Sequence, residues 1–508
     1  MQFLRSHLLL AAVALSVPIP FTPALAADEI HWTMTGPTSV TLEWRGSNGS
    51  LRYGLNSSYG LATTAVTPSP LPYSSSGPFC EARLTGLLPN TVYHYSVAGG
   101  PDHLFRTMPA VGMTFVVYVE GDIGDTSNYS RVGPVQSLIA HGGPTLVLGV
   151  GDLTYGNANG QAAVDNHFNN VMDWALDAAY MPAWGNHEWD SSGDNLKNYK
   201  GRFDFPNPQT SPGAPTAGCC GEDWYWFDCG GVRFISYPEP YTDASWSDWR
   251  TKAGALMDAA QADLSIAFIV TYGHRPAYSS GWHPGDATLA GYMDALGSAH
   301  SKYVLNLNGH SHNYERTYPR HGVTHITVGT GGSSLEEASG SCLYAGGCPP
   351  PSWCAFRAFH HGALRLTITP TSIRGSMICG PAGDSGASKN DITCNSGDVF
   401  DSFQINAPIP VDVAPEGRVG AVTMLEKVVP NPATGSLKVS YSLSSSAPAR
   451  LDVLDVAGRR VLARDLGTQG PGLHEARLET STGLAPGVYW LHLSQGGRDA
   501  SLRVVLMR

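Results

Sequence analysis

Apolar and polar residues alternate at every second position through the first hundred residues, as in Ser39-Val40-Thr41-Leu42-Glu43-Trp44 and Val92-Tyr93-His94-Tyr95-Ser96-Val97. Turn residues separate these runs, so a small β-sandwich is predicted over residues 28–108, with Met108-Pro109 as its exit. From Met113 the pattern changes. Residues 114–120 and 145–150 are continuous apolar runs that predict buried strands; 132–141 and 163–179 read as helices, and 181–184 as the next strand. Further strands are predicted at 232–236, 266–271 and 303–308, with helices near 245–263 and 288–299. Strands alternating with helices predict a layered α/β domain over residues 112–405. Strands at 323–328, 363–369 and 372–377 are expected to complete a second sheet. Residues 406–425 hold Pro408, Pro410 and Pro415 among small residues and read as a linker. Residues 426–508 read as a second β-sandwich. The expected fold is therefore multidomain, a central α/β unit flanked by all-β units.

A chain of 508 residues exceeds one ordinary core. With 14% charged residues, 58 Gly and 36 Pro, it suits a loop-rich, β-rich extracellular protein. The net charge of −11 leaves no surplus of Lys and Arg to neutralise a phosphate backbone, which argues against a nucleic-acid partner. An anionic substrate must instead be drawn by local charge, such as bound cations. Residues 1–26 look like an export signal: Arg5 supplies positive charge, 8–17 are apolar, and Ala24-Leu25-Ala26 fits a cleavage site. That apolar stretch is shorter than the roughly 20 residues a membrane span requires, and no other segment approaches that length. The mature chain is expected to be exported (secreted, periplasmic or cell-surface) with no integral membrane segment. Nine cysteines should mostly pair in such a compartment. They cluster as Cys219, Cys220 and Cys229, as Cys342, Cys348 and Cys354, and as Cys379 and Cys394; Cys80 is the expected odd thiol.

Candidate chemistry lies in five short motifs: Gly121-Asp122-Ile123-Gly124, Gly151-Asp152-Leu153-Thr154-Tyr155, Gly185-Asn186-His187-Glu188, Tyr272-Gly273-His274 and Gly309-His310-Ser311-His312. Asp122, Asp152, Asn186, His274 and His310 each follow a predicted strand closely. Separate strands would therefore deliver oxygen and imidazole donors to one rim of the sheet, where two cations could sit about 3.5–4 Å apart. Each residue alone has an ordinary explanation: a loop cap for either aspartate, a core aromatic for Tyr155. Together, in this order, metal is the reading that accounts for them all. The glycines are expected to let the backbone turn sharply ahead of each ligand.

The set resembles the purple acid phosphatase branch of the calcineurin-like metallophosphoesterases, over about residues 30–405. Supporting stretches are 224–235, His274-Arg275-Pro276-Ala277-Tyr278-Ser279-Ser280 and Asn313-Tyr314-Glu315-Arg316. The resemblance implies a four-layer α/β/β/α catalytic sandwich and a binuclear metal centre. Asp122, Tyr155 and His312 would bind Fe(III); Asn186, His274 and His310 would bind a divalent Fe, Zn or Mn; Asp152 would bridge them. His187 would contact a phosphate oxygen, and His283, nine residues past His274, would protonate the leaving alcohol. The loop around His283 differs from that of plant-type members, and Thr271 stands where the family usually has Val. The first sandwich, through residues 84–97, resembles a fibronectin type III-like domain. The last, through Pro430-Asn431-Pro432, 449–458 and 484–493, resembles C-terminal sorting or adhesion modules that engage export or cell-surface machinery.

The function these features imply is an exported acid phosphatase, with hydroxide generated at the cations attacking a small phosphate monoester in line. An acidic optimum would follow if a histidine donor must be charged. Two other readings stay open: a phosphodiesterase or nucleotide hydrolase, selected by loops 190–217 and 329–353, and a surface-binding protein with an inactive catalytic domain.

Overall fold

A computed structural model of the chain describes residues 27–72, 76–124, 129–189, 196–215, 221–381, 391–408, 423–470, 472–479 and 484–507. The expected export signal, Cys219, Cys220 and most of the expected linker lie outside the described residues. The chain divides into two compact units, one reaching Val411 and one beginning at Asp412.

Two β-sheets face each other at the centre of the larger unit. The first runs in the order Ala179–Tyr180, Leu146–Gly149, Phe115–Glu120, Gly362–Ile368, Ser372–Cys379, Val399–Asn406. The second runs Trp226–Cys229, Val232–Ser236, Phe268–Tyr272, Tyr303–Asn308, Thr324–Val328, Tyr314–Thr317, Cys354–Ala358. Alternation along each strand separates the layers. Phe234, Val270, Leu305 and Leu307 join the core that contains Val117, Val119, Leu364 and Leu366 of the first sheet. Ile235, Ile269 and Tyr303 face the other way, packed with Trp249, Met257, Leu289 and Met293 of helices Ser245–Ala262 and Ala287–Ala299. Helices Tyr129–His141 and Gln161–Ala175 contribute Val135, Ile139, Phe168 and Val171 to the core of the first sheet. The result is the expected α/β/β/α sandwich.

Three details differ from expectation. Thr324–Val328 pairs in parallel with Tyr303–Asn308, whereas the hairpin Gly362–Cys379 joins the opposite sheet against Phe115–Glu120. Alternation specifies a strand's faces and not its partner, which is why these strands divide between two sheets. The strand expected at 181–184 is Ala179–Tyr180; pairing continues through Met181 N to Val147 O and Ala183 N to Gly149 O, around Pro182, which has no N–H. Cys342 pairs with Cys348 and Cys379 with Cys394, while Cys80, Cys229 and Cys354 are free. Cys229 and Cys354 were expected in disulfide loops; instead both lie buried on strands.

The N-terminal sandwich has sheets of three strands (Asp28–Gly36, Ser39–Arg45, Phe79–Leu84) and four (Leu61–Thr64, Ser50–Gly54, Val92–Val97, His103–Arg106). It is welded to the catalytic layers by polar contacts. Arg202 Nε donates to Glu29 Oε2 at 2.9 Å, Arg45 Nη1 to Asp165 at 2.9 Å, and Tyr95 OH to Leu176 O at 2.7 Å. The smaller unit is a separate sandwich of three and four strands around Leu437, Val439, Tyr441, Leu451, Leu491 and Val504. No described helix is long and apolar enough to cross a membrane.

Where the N-terminal sandwich meets the catalytic layers, Glu43, Glu81, Asp204 and Glu222 crowd together, with Arg83 and Lys200 as nearby cations. Burial, then Glu81, Asp204 and Glu222, pushes Glu43 well above the usual carboxylate range, and neither of its oxygens has a hydrogen-bond partner among the described residues. Burial, then Asp204, pushes Glu222 up to about 8. The folded chain keeps these protons where the unfolded chain has released them, so their stabilisation is full below the ordinary carboxylate pKa. It is lost as pH rises through about 8. The melting temperature should therefore fall between about pH 5 and pH 8, and Glu222→Gln should shrink that fall, as read by calorimetry across the range.

Candidate metal centre

All seven expected ligands converge at the ends of strands from both sheets. Asp122 follows Phe115–Glu120, Asp152 and Tyr155 follow Leu146–Gly149, and Asn186 follows Ala179–Tyr180, all from the first sheet. His274 follows Phe268–Tyr272, and His310 and His312 follow Tyr303–Asn308, from the second. Asp122, Asp152, Tyr155 and His310 all hold left-handed backbone, with φ of 53°, 49°, 53° and 69°. Non-glycine residues seldom adopt it, and such strain collects where a side chain must be aimed.

The donors form two adjoining groups. In one, Asp122 Oδ1 lies 3.2 Å from His312 Nε2 and 3.4 Å from Tyr155 OH, and Tyr155 OH lies 2.9 Å from His312 Nε2. In the other, His274 Nε2 lies 3.1 Å from both Asp152 Oδ2 and Asn186 Oδ1, and 3.2 Å from His310 Nδ1. The other ring nitrogens fix these orientations. His274 Nδ1 donates to Val150 O at 3.0 Å and His312 Nδ1 to Ser334 O at 2.7 Å, while Arg275 Nη1 donates to His310 Nε2 at 3.0 Å. Glu239, 1% exposed, holds Arg275 Nε at 3.0 Å.

The electrostatics call for positive charge at both groups. Burial opposes charging His274 and His312, but Asp152 and Asp122 outweigh it and raise them to about 10 and about 9. Burial raises Asp152, but His274 outweighs it and brings Asp152 below its usual value; burial, then His274, lowers His310. Burial, then Asp122 and Asp152, lifts the Tyr155 phenol well above its usual value, so a phenolate here needs a cation beside it. Protons on two imidazoles supply what two multivalent cations would supply better, and metal binding would displace them. Carboxylate, amide, phenol and imidazole donors suit hard or borderline ions.

A cavity of about 320 Å³ opens over both groups. His187 and His283 line it. His187 Nδ1 is 2.7 Å from Asn157 Oδ1, with its ring 4.3 Å from that of Tyr155. His283 stacks on His310 at 4.1 Å. The Thr271 departure has a structural reason: its hydroxyl joins Tyr303 OH at 2.7 Å and Asn306 Oδ1 at 2.8 Å behind the site.

Two parts of the site were missed. Glu188, inside a quoted motif, accepts from Asp152 N and Gly185 N at 2.8 Å and from Leu153 N at 2.9 Å, stapling two ligand loops together. Its position directly after Asn186-His187 was the available signal. The glycines serve close approach more than turning: φ is positive at Gly151 but not at Gly121, Gly185 or Gly309. A Cβ on Gly309 would come within 2.5 Å of Asp122 Oδ2, and one on Gly185 would strike Asp152 Oδ1.

Residues 115–314 match the calcineurin-like phosphoesterase family, and 322–385 match the iron/zinc purple acid phosphatase-like protein C family. The chain thus carries a calcineurin-like phosphoesterase domain followed by a purple acid phosphatase-like C-terminal segment. Residues 427–507 match the secretion system C-terminal sorting domain, which indicates export to the surface or medium. Purple acid phosphatase 15 of Arabidopsis thaliana is 27% identical over 54% of the chain and 58% of its own length. Acid phosphatase type 7 of Homo sapiens is 25% identical over 68% of the chain and 86% of its own length. A third relative, at 25% identity over 67% of the chain and 61% of its own length, is the probable inactive purple acid phosphatase 27 of A. thaliana. The purple acid phosphatase PPD1 from yellow lupin (Lupinus luteus) seeds shares the fold, with a TM-score of 0.57 at 19% identity over 75% of this chain and 74% of that one. The family implies a binuclear metal centre.

Glu188→Gln sets an amide NH₂ against one of the three backbone N–H groups. It should cost about 1–3 kcal/mol of stability in urea unfolding, with weaker metal retention on dialysis.

Proposed function

We propose that this protein is an exported acid phosphatase hydrolysing small phosphate monoesters. The observation that supports it most is the pairing of two adjoining donor groups beneath one polar cavity. Asp122, Tyr155 and His312 would hold Fe(III); Asn186, His274 and His310 would hold a divalent Fe, Zn or Mn; Asp152 would lie between them. Bound there, the cations would neutralise the ester's charge and acidify a water molecule. His187, braced by Asn157, would hold a phosphate oxygen at the cavity wall. His283, on the same wall, would give its proton to the leaving alkoxide. The C-terminal sandwich would address the chain to its export machinery. The relative named as inactive bears on the alternative of a surface-binding protein, but here all seven expected donors are retained.

Metal-loaded protein should turn over 4-nitrophenyl phosphate well ahead of the bis-aryl diester; the reverse order would favour the phosphodiesterase reading, and no turnover of either would favour the binding protein. Its visible spectrum should carry a charge-transfer band that Tyr155→Phe removes, whereas a colourless, iron-free but active enzyme would contradict the ferric assignment. Asp152→Ala should empty both positions in metal analysis, and His283→Ala should keep the metals and slow turnover of an alkyl ester such as glycerol phosphate by about a hundredfold.

A further inference from the structure

We propose that Glu336 is a positioning residue that holds the His283 ring for proton transfer to the leaving oxygen. The inference rests on the reading of His283 as proton donor. His283 lies between two exposed neighbours, Trp282 at 49% and Pro284, so its ring is not held by the residues on either side. Two contacts set the ring. The ring stacks on His310 with centroids 4.1 Å apart and planes 24° apart, which sets the ring plane. Glu336 Oε2 lies 3.0 Å from His283 Nε2, which sets rotation within that plane. With Nε2 in this ion pair, Nδ1 is left as the ring nitrogen to give a proton to the alcohol.

Glu336 is itself anchored, because the preceding Leu335 is 1% exposed in a small apolar cluster with Tyr344 and Phe359. Its carboxylate lines the cavity beside His283 and His312, with Oε2 4.0 Å from His312 Nδ1. An anion on the wall of a phosphate site repels the substrate. Its presence is explained by what it does to His283. In the step it serves, hydroxide from water forms the new P–O bond, the P–O bond to the alcohol breaks, the alkoxide takes the proton from Nδ1, and His283 is reprotonated from water. Glu336 keeps its charge and its Nε2 contact throughout.

The test compares glycerol phosphate, whose alkoxide needs a proton, with 4-nitrophenyl phosphate, whose phenolate leaves without one. Glu336→Ala should lower the alkyl-to-aryl ratio of kcat about tenfold, with the metals retained and KM not raised. Glu336→Gln keeps the size and one acceptor oxygen but loses the charge, so its ratio should fall between those of the wild type and Glu336→Ala, and it serves should the alanine variant disturb the loop. In a His283→Ala background, removing Glu336 should change the ratio no further. An equal fall on both esters, or an independent effect in that background, overturns the proposal. A His283→Ala variant with an unaltered ratio overturns the donor reading and the proposal with it. A lowered ratio in His283→Ala beside an unaltered one in Glu336→Ala overturns the positioning role alone.

Discussion

Two buried carboxylates, each dividing its oxygens between backbone and imidazole, are what the site is built on. Asp122 Oδ2 accepts from His310 N at 2.8 Å while Oδ1 faces His312 and Tyr155. Asp152 Oδ1 accepts from His187 N at 2.9 Å while Oδ2 faces His274. One oxygen of each thus ties a distant ligand loop in place, and the other is aimed inward. Neither aspartate is more than 2% exposed. Burying such charges costs several kcal/mol unless they are matched, so the same groups that order the loops also create the demand for cations.

The two sheets divide the labour. The first supplies oxygen donors from Asp122, Asp152, Tyr155 and Asn186; the second supplies imidazoles from His274, His310 and His312. The centre exists only where the sheets face each other, and the apolar core between them fixes how closely their strand ends approach. Left-handed backbone at four of the seven donors is the local cost of turning side chains off strand ends towards that seam. Gly185 and Gly309 allow neighbouring loops to pass within contact of the two carboxylates.

Much of this was legible in the chain because it is local. An apolar run followed by Gly-Asp, Gly-Asn or Gly-His marks a strand end and a candidate donor, and the five donors found that way converge with Tyr155 and His312. What pairs with what was not legible. Alternation gives Thr324–Val328 its two faces but does not say that it adds to Tyr303–Asn308 instead of joining the Gly362–Cys379 hairpin. Residues that act across long separations were likewise hidden. Glu188 reaches back to Leu153 N, Glu336 meets His283, and Arg202 meets Glu29. Glu336 and Arg202 read in sequence as ordinary surface charges, and Glu188 as a bystander in its motif. The reason for the glycines was misjudged for a related cause: close approach is a property of two segments, and a turn is a property of one.

The most direct test of the central claim is an anomalous-scattering map from crystals of the metal-loaded protein. The account predicts two peaks about 3.5–4 Å apart. One should lie beside Asp122, Tyr155 and His312, the other beside Asn186, His274 and His310, with Asp152 touching both. A single peak, or peaks held by other side chains, would contradict it.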